Sequence, residues 1–373
     1  MASYRAAVIG LGRIASTIDE EIQKYDPSQL PYAHIACHME VPEIELVGMS
    51  DTWEEQRAAA SRKWNFDALF DDYRQMLTET KPDIVSLCTS AKPRAEIILE
   101  IAGGDYGVKA IWAEKPITLS LDEADRVIEA CRRAGIVLAV NTLRRWHDVY
   151  RQALAMVDDG LIGDRLHVQA MAQCNTSHNG SHILTTLTMF ASARAEWVIG
   201  EVDSDEDAAS ENDFQSAAYI AFANGVRGYF RGMPNGPNDG AYDVIGTTGM
   251  IRIMSDAKEV EHWTLEPPLE GQRRDAPSRR FFPPPRRRRS TGVNVLYDLM
   301  HCIETGDAPK SSGEDAREAL EIAIAIRESH RRGNVRIDLP LADRSLRIIS
   351  GEVVRSELPR AILRQREAEA ARS

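Results

Sequence analysis

Cysteine is scarce: Cys37, Cys88, Cys131, Cys174 and Cys302 are the five in 373 residues, widely spaced, with no CxxC pair. An odd, scattered set excludes a disulfide framework and fits reduced thiols in a cytoplasm. No apolar run approaches the roughly 20 residues that a membrane-spanning helix needs. The amino terminus, MASYRAAVIG, enters an apolar strand pattern at once and lacks the segments of a secretory signal. Positive charge is also in deficit. A formal net charge of -12 argues against nucleic acid or an anionic membrane as partner, since both reward basic surfaces. No internal repeat is present.

What is there is an ordinary soluble composition, 43% hydrophobic and 27% charged, which argues against a disordered or fibrous chain. At 373 residues the chain exceeds what one core serves, so two domains are expected. In residues 1–141 the apolar runs RAAVIGLG, IELVGMSD, DIVSLCT, VKAIWAE and IVLAVN alternate with helical patterns, one of them starting at Ser120 and stopping at Gly135. Strands apolar throughout, separated by helices, predict an α/β fold with a doubly wound parallel sheet covered on both faces. After Asn141 the texture changes. Alternating runs such as RLHVQAMAQ, SAAYIAFA, VRGYFRGM and GMIRIMS predict antiparallel strands, and SGEDAREALEIAIAIRESHRRG a long amphipathic helix, so residues 142–345 read as an α+β domain. Residues 267–289, dense in proline and arginine, read as a long irregular loop, and 346–373 as a helical extension.

Chemistry enters at three places. Gly10-Leu11-Gly12-Arg13-Ile14-Ala15 is a GxGxxA pattern directly after a strand. There the first glycine permits a tight turn, the second lets backbone approach a pyrophosphate, and the small third residue packs helix on strand. The alternative is a bare strand-helix turn. Asp51, closing the second strand, suits the two hydroxyls of an adenosine ribose and so NAD, although Thr52 and Trp53 leave NADP open; its other reading is an N-cap. The spacing from Gly12 exceeds the usual roughly 20 residues, and the excess, around 18–33, reads as an insertion over the site edge. Third is AIWAEKPIT, where a buried strand ends on Glu114 and Lys115 before a proline. At the carboxyl end of a sheet strand, Lys115 can stabilise an alkoxide while Glu114 fixes the lysine or the nicotinamide ribose. A surface Glu-Lys turn is the plainer alternative.

The elements AVIGLGRIA, CTS, AEKPI, NTLRRW, GSH, GTTGMIRI and EALEIAIAIRESHRRGNVRIDLPL, in this order from about residue 4 to 340, resemble the glucose-fructose oxidoreductase, inositol dehydrogenase and MocA family. The resemblance implies a Rossmann domain followed by a domain with a large open, mostly antiparallel sheet that walls the cleft and usually joins subunits into a homo-dimer or homo-tetramer. It implies Lys115 and His182 at the reacting hydroxyl, Thr89 beside the cofactor, Asn141 near the nicotinamide, and Arg144 and Trp146 facing the sugar. Trp146 can equally be core. His178 stands where the family commonly has an acid, so the usual Asp-His pairing is replaced by two imidazoles, which relay a proton or hold a metal. No further ligands at suitable spacing accompany them, so no metal is expected.

The resulting expectation is an NAD-dependent oxidoreductase acting on a secondary hydroxyl of a sugar or polyol, with Lys115 polarising the oxygen and His182 as acid/base. An enzyme that recycles NAD through transient oxidation to cleave or eliminate is the alternative within catalysis; a dinucleotide or sugar sensor is the alternative outside it. The run at 286–289, RRRR, reads as a solvated loop, an oligomer contact, or a clamp for a carboxylate or phosphate on the substrate.

Overall fold

A computed structural model describes residues 4–22, 30–236, 240–271, 273–285 and 288–350. The first sheet holds β1 (Tyr4–Ile9), β2 (Ile44–Ser50), β3 (Leu69–Phe70), β4 (Ile84–Leu87), β5 (Ala110–Ala113) and β6 (Val137–Val140). All pair in parallel, in the order β3-β2-β1-β4-β5-β6. The order reverses between β1 and β4, and such a switch point opens a crevice beyond the carboxyl ends of the strands. β4 and β5 are buried at every position, as strands covered on both faces must be. The helix Leu121–Ala134 starts on a capping box between Ser120 and Glu123 and ends at Gly135 (φ 68°).

The second sheet holds β7 (Arg165–Gln173), β8 (Ala195–Val202), β9 (Ser216–Phe222), β10 (Arg227–Met233), β11 (Ala241–Gly246), β12 (Gly249–Met254), β13 (Glu259–Glu266), β14 (Ala276–Arg280) and β15 (Ile337–Asp338). Its order is β14-β13-β12-β11-β7-β10-β9-β8-β15, antiparallel except where β7 meets β10. Helices Gly180–Ala191 and Gly313–Arg331 pack on one face around Leu187, Phe190, Ile322 and Ile326. The long helix approaches so closely that a Cβ on Gly200 would lie 2.7 Å from the Cα of Ile326. On the opposite face Ile199 and Tyr219 are exposed.

Several expectations change. The stretch 267–289 is not loop throughout, because Ala276–Arg280 adds to the sheet edge as β14 beside β13. Proline is tolerated at an edge, where one side of the strand needs no donor. The expected helix from 346 is absent as far as Ser350: Arg347 bridges Ser120, Ile349 bridges Asn212, and Ile348 is fully buried. Residues 351–373 lie outside the described residues, as do 23–29 of the expected insertion and 286–287 of the arginine run.

Trp146 is core. It is 2% exposed, packs with Val293, Leu296 and Leu299, and donates its Nε1 proton to Asp298 Oδ2 at 2.8 Å. It thereby fixes the helix Thr291–Thr305 against the first sheet, the core alternative rather than the sugar-facing place that the resemblance implies. Trp146→Phe removes the donor to a buried carboxylate and leaves a void, for an expected loss of about 1–3 kcal/mol in denaturant melts. NADH affinity should not change. Unaltered stability with weakened sugar binding would return Trp146 to the substrate.

Candidate active site

The carboxyl ends of β1, β4, β5 and β6 deliver Gly10–Gly12, Thr89, Glu114–Lys115 and Asn141 to one edge of the first sheet. A cavity of about 480 Å³ there is lined by Gly12, Arg13, Ile14, Thr89, Glu114, Lys115, Asn141, His178 and His182, among others. Gly10 sits at φ 88°, and a Cβ would come within 3.0 Å of the Cys88 and Thr89 backbone, so glycine is required for the turn. At Gly12 a Cβ would meet nothing within 4 Å, which leaves open space where a dinucleotide would approach the backbone. The buried Thr89 Oγ1 has no hydrogen-bond partner among the described residues. An open glycine turn and an orphaned hydroxyl beside it fit NAD.

Asp51 has a second task that the spacing did not reveal. Its carboxylate accepts the Leu11 N–H at 2.7 Å and the Trp53 N–H at 2.9 Å, tying the glycine turn to the end of β2. Each carboxylate oxygen has a second lone pair, so ribose hydroxyls can still be received.

Behind the cavity runs a buried polar chain. His34 Nε2 lies 3.2 Å from Glu114 Oε1 and its Nδ1 3.1 Å from Ser86 Oγ, while His38 Nε2 is 2.8 Å from the same hydroxyl. An ionised carboxylate only accepts, so His34 donates through Nε2, Ser86 donates to His34 Nδ1, and His38 donates to Ser86. Asn141 adds its amide N–H to Glu114 while its Oδ1 receives the Trp112 indole at 3.1 Å. Burial alone would raise the Glu114 pKa. The His34 bond, the Lys115 charge and the Asn141 bond outweigh it and hold the carboxyl well below its usual range. Arg94, fully buried, donates to the carbonyls of Pro116 and Thr89 and so clamps the strand ends together.

Lys115 crosses from the first domain to the second. Its Nζ is 3.3 Å from His178 Nε2 and 3.4 Å from Asn179 Oδ1, just before the helix Gly180–Ala191. Since the ammonium donates, His178 accepts at Nε2 and its proton stands on Nδ1. Burial, then the Lys115 charge, lowers the His178 pKa to about 4, and the same two causes push His182 well below its ordinary value. Mutual repulsion of the imidazoles is minor. Burial likewise lowers the Lys115 pKa, against the pull of Glu114. Asp213 accepts the N–H groups of Ser177, His178 and Phe214, so this carboxylate holds the loop backbone.

Beyond His182 lies a second cavity of about 260 Å³, lined by Tyr32, Arg144, His147, Gln173, Asn179 and Asp256 with others. Arg144 Nε donates to Asp256 Oδ1 at 2.9 Å. The sequence reading missed His34, Arg94's clamp, Tyr32, Asp213 and Asp256. Only His34 and Tyr32 left a trace, at the end of the expected insertion.

Residues 4–142 match the Gfo/Idh/MocA oxidoreductase family, NAD-binding Rossmann fold. That segment is similar to the family's NAD-binding domain. The chain is 24% identical over 345 residues to the myo-inositol 2-dehydrogenase of Thermotoga maritima, covering 87% of this chain and 96% of the relative. Identity is also 24%, over 351 residues, to the scyllo-inositol 2-dehydrogenase (NAD(+)) of Bacillus subtilis, covering 88% and 94%. An inositol dehydrogenase homolog from Azotobacter vinelandii, complexed with NADH and myo-inositol, shares the fold with a TM-score of 0.69 at 16% identity, covering 90% of this chain and 98% of its own. Among the described residues no helix is long and apolar enough to cross a membrane, and no cluster of three metal-ligating side chains occurs.

The depressed imidazoles set a pH dependence. An unfolded histidine takes its proton near pH 6.5, whereas His178 in the folded chain does so near 4. The unfolded chain therefore binds the proton first, and stability falls as pH drops between those values. His178→Asn should flatten that slope by about one proton in melts run across this window. An unchanged slope would mean that His178 is not buried neutral.

Proposed function

We propose that this oxidoreductase moves a hydride between NAD and a secondary hydroxyl of a sugar or polyol in the cleft between its two sheets. The observation that carries the reading is Lys115, from the end of β5, meeting the His178–His182 segment of the second domain in one cavity with Thr89, Glu114 and Asn141. NAD, when bound, supplies the hydride acceptor or donor. Gly10, Gly12 and Asp51 shape its dinucleotide end, and the Asp51 charge disfavours a 2′-phosphate, which supports NAD over NADP.

Lys115 directs its ammonium at the substrate oxygen and stabilises the charge that develops there. The neutral imidazole of His182 takes up or returns the hydroxyl proton, and its depressed pKa keeps it unprotonated at neutral pH. His178 Nε2 and Asn179 Oδ1 hold the lysine head across the cleft. Arg144, fixed by Asp256, lines the neighbouring cavity and places its positive charge on the wall where sugar hydroxyls would lie. The inositol dehydrogenases noted above are proteins of this kind, and they support a polyol or sugar over other alcohols.

The exposed Ile199 and Tyr219 on the open sheet support assembly of copies through that face, and five buried free cysteines support a reducing, cytoplasmic setting.

Turnover of a sugar and polyol panel, read as NADH formation, tests the proposal. Lys115→Ala should lower kcat by about 10²–10⁴-fold with NADH affinity changed only a few-fold. Unchanged turnover would remove Lys115 from the chemistry. Product without net NADH would indicate the recycling enzyme, and NAD binding without any turnover the sensor.

A further inference from the structure

One residue in the lining of the cofactor cavity comes from beyond the second sheet in sequence. Ser350 lines that cavity together with Thr89, Lys115, His178 and His182. It is 4% exposed, and its Oγ is buried with no hydrogen-bond partner among the described residues. Thr89 Oγ1, His178 Nδ1 and His182 Nδ1 are in the same condition around the same cavity. Buried polar atoms in proteins are nearly always hydrogen-bonded, so orphans gathered around one hollow call for a polar ligand that satisfies them.

The segment 344–350 that carries Ser350 is fixed to both halves of the molecule. On the first-domain side the Asp122 N–H donates to the Arg344 carbonyl at 2.8 Å and the Ile348 N–H to the Leu119 carbonyl at 3.0 Å, which lays the segment along the start of the helix Leu121–Ala134. On the other side the Ile349 N–H donates to the Glu211 carbonyl at 2.7 Å, and the Ile349 carbonyl accepts the Asp213 N–H at 3.1 Å. Arg327 Nη2 adds a bond to the Arg347 carbonyl at 2.8 Å. The Asp213 carboxylate in turn holds the N–H groups of Ser177 and His178. The hydroxyl therefore reaches the cavity beside the chain that leaves β5 and the loop before His182, whereas Gly12 and Asp51 stand at the ends of β1 and β2.

We propose that Ser350 is a cofactor-binding residue, its hydroxyl hydrogen-bonding the nicotinamide half of NAD, and that segment 344–350 supplies a wall of the cofactor site in addition to the two domains' sheets. The identity of the ligand rests on the reading above that NAD fills this cavity; the orphaned hydroxyl does not. A hydroxyl both donates and accepts, so it suits a ribose hydroxyl or the carboxamide. Alanine would fill the same buried position without stranding a polar atom, and serine there is a cost to the empty site that only a ligand offsets.

The test is calorimetric titration of the full chain and of Ser350→Ala with NADH and with ADP-ribose, which lacks the nicotinamide, alongside thermal melts. In the variant, the melting temperature without ligand should equal or exceed that of wild type, because the lost oxygen had no partner. NADH affinity should fall about three- to tenfold, the rise in melting temperature on adding NADH should shrink to match, and ADP-ribose affinity should stay unchanged. Equal NADH affinity in the two proteins, an equal loss for both ligands, or a lower melting temperature without ligand would overturn the assignment and leave the oxidoreductase reading standing. A wild-type chain that binds neither ligand would overturn the assignment and the cofactor reading together.

Discussion

One buried carboxylate organises the cleft. Glu114 is 6% exposed at the end of a strand that is otherwise apolar, and an isolated charge there would cost far more than a small domain can bear. It is tolerated because His34 and Asn141 donate to it and Lys115 follows it in sequence. Those partners come from the helix His34–Glu40 and from the end of β6, so the need to satisfy one anion draws three elements together. Ser86 and His38 extend the requirement into the sheet and leave His34 a single tautomer. The lysine beside the carboxylate is thereby aimed across the cleft by the first domain before the second domain touches it.

The second domain answers with neutral groups. Burial and the nearby ammonium both oppose protonation of His178 and His182, so near neutral pH the two imidazoles face Lys115 as bases rather than as further cations. A carboxylate at 178 would have neutralised Lys115; an imidazole instead accepts one of its hydrogen bonds and leaves the charge for a ligand oxygen. An imidazole at 178 is therefore compatible with the chemistry proposed for Lys115 and His182.

The sequence exposed the parts of this architecture that depend on local pattern. Strands β1, β2, β4, β5 and β6 are apolar at nearly every position, and β7 and β10 alternate, so period alone locates them. The glycine turn, Glu114, Lys115, Asn141 and His182 are legible because each follows a strand end or a recognisable motif. What stays hidden depends on long-range pairing. β14 carries a proline and only partly buried or exposed residues, and only its place beside β13 makes it a strand. Asp256 and Asp213 meet Arg144 and the His178 backbone across gaps of 112 and 35 residues. Trp146 was ambiguous in the sequence because a large aromatic next to a sugar-facing arginine suits a platform or a core equally; the partner that decides it, Asp298, lies 152 residues away.

The crossover between the two sheets is itself an active constraint. Texture in the sequence changes at Asn141, where a flexible linker would ordinarily be sought. Four residues there are instead bonded to one side or the other. Asn141 belongs to Glu114 and Trp112, the Thr142 hydroxyl meets Ser311, Arg145 donates to the carbonyls of Thr185 and Lys310, and Trp146 reaches Asp298. A hinge at this point would break buried hydrogen bonds in both halves at once, and each orphaned group would cost about 1–3 kcal/mol. The cleft is therefore set by the crossover rather than closed by it. Lys115 is held against His178 and Asn179 within this frame, and a charge fixed in place can stabilise developing negative charge without reorganising.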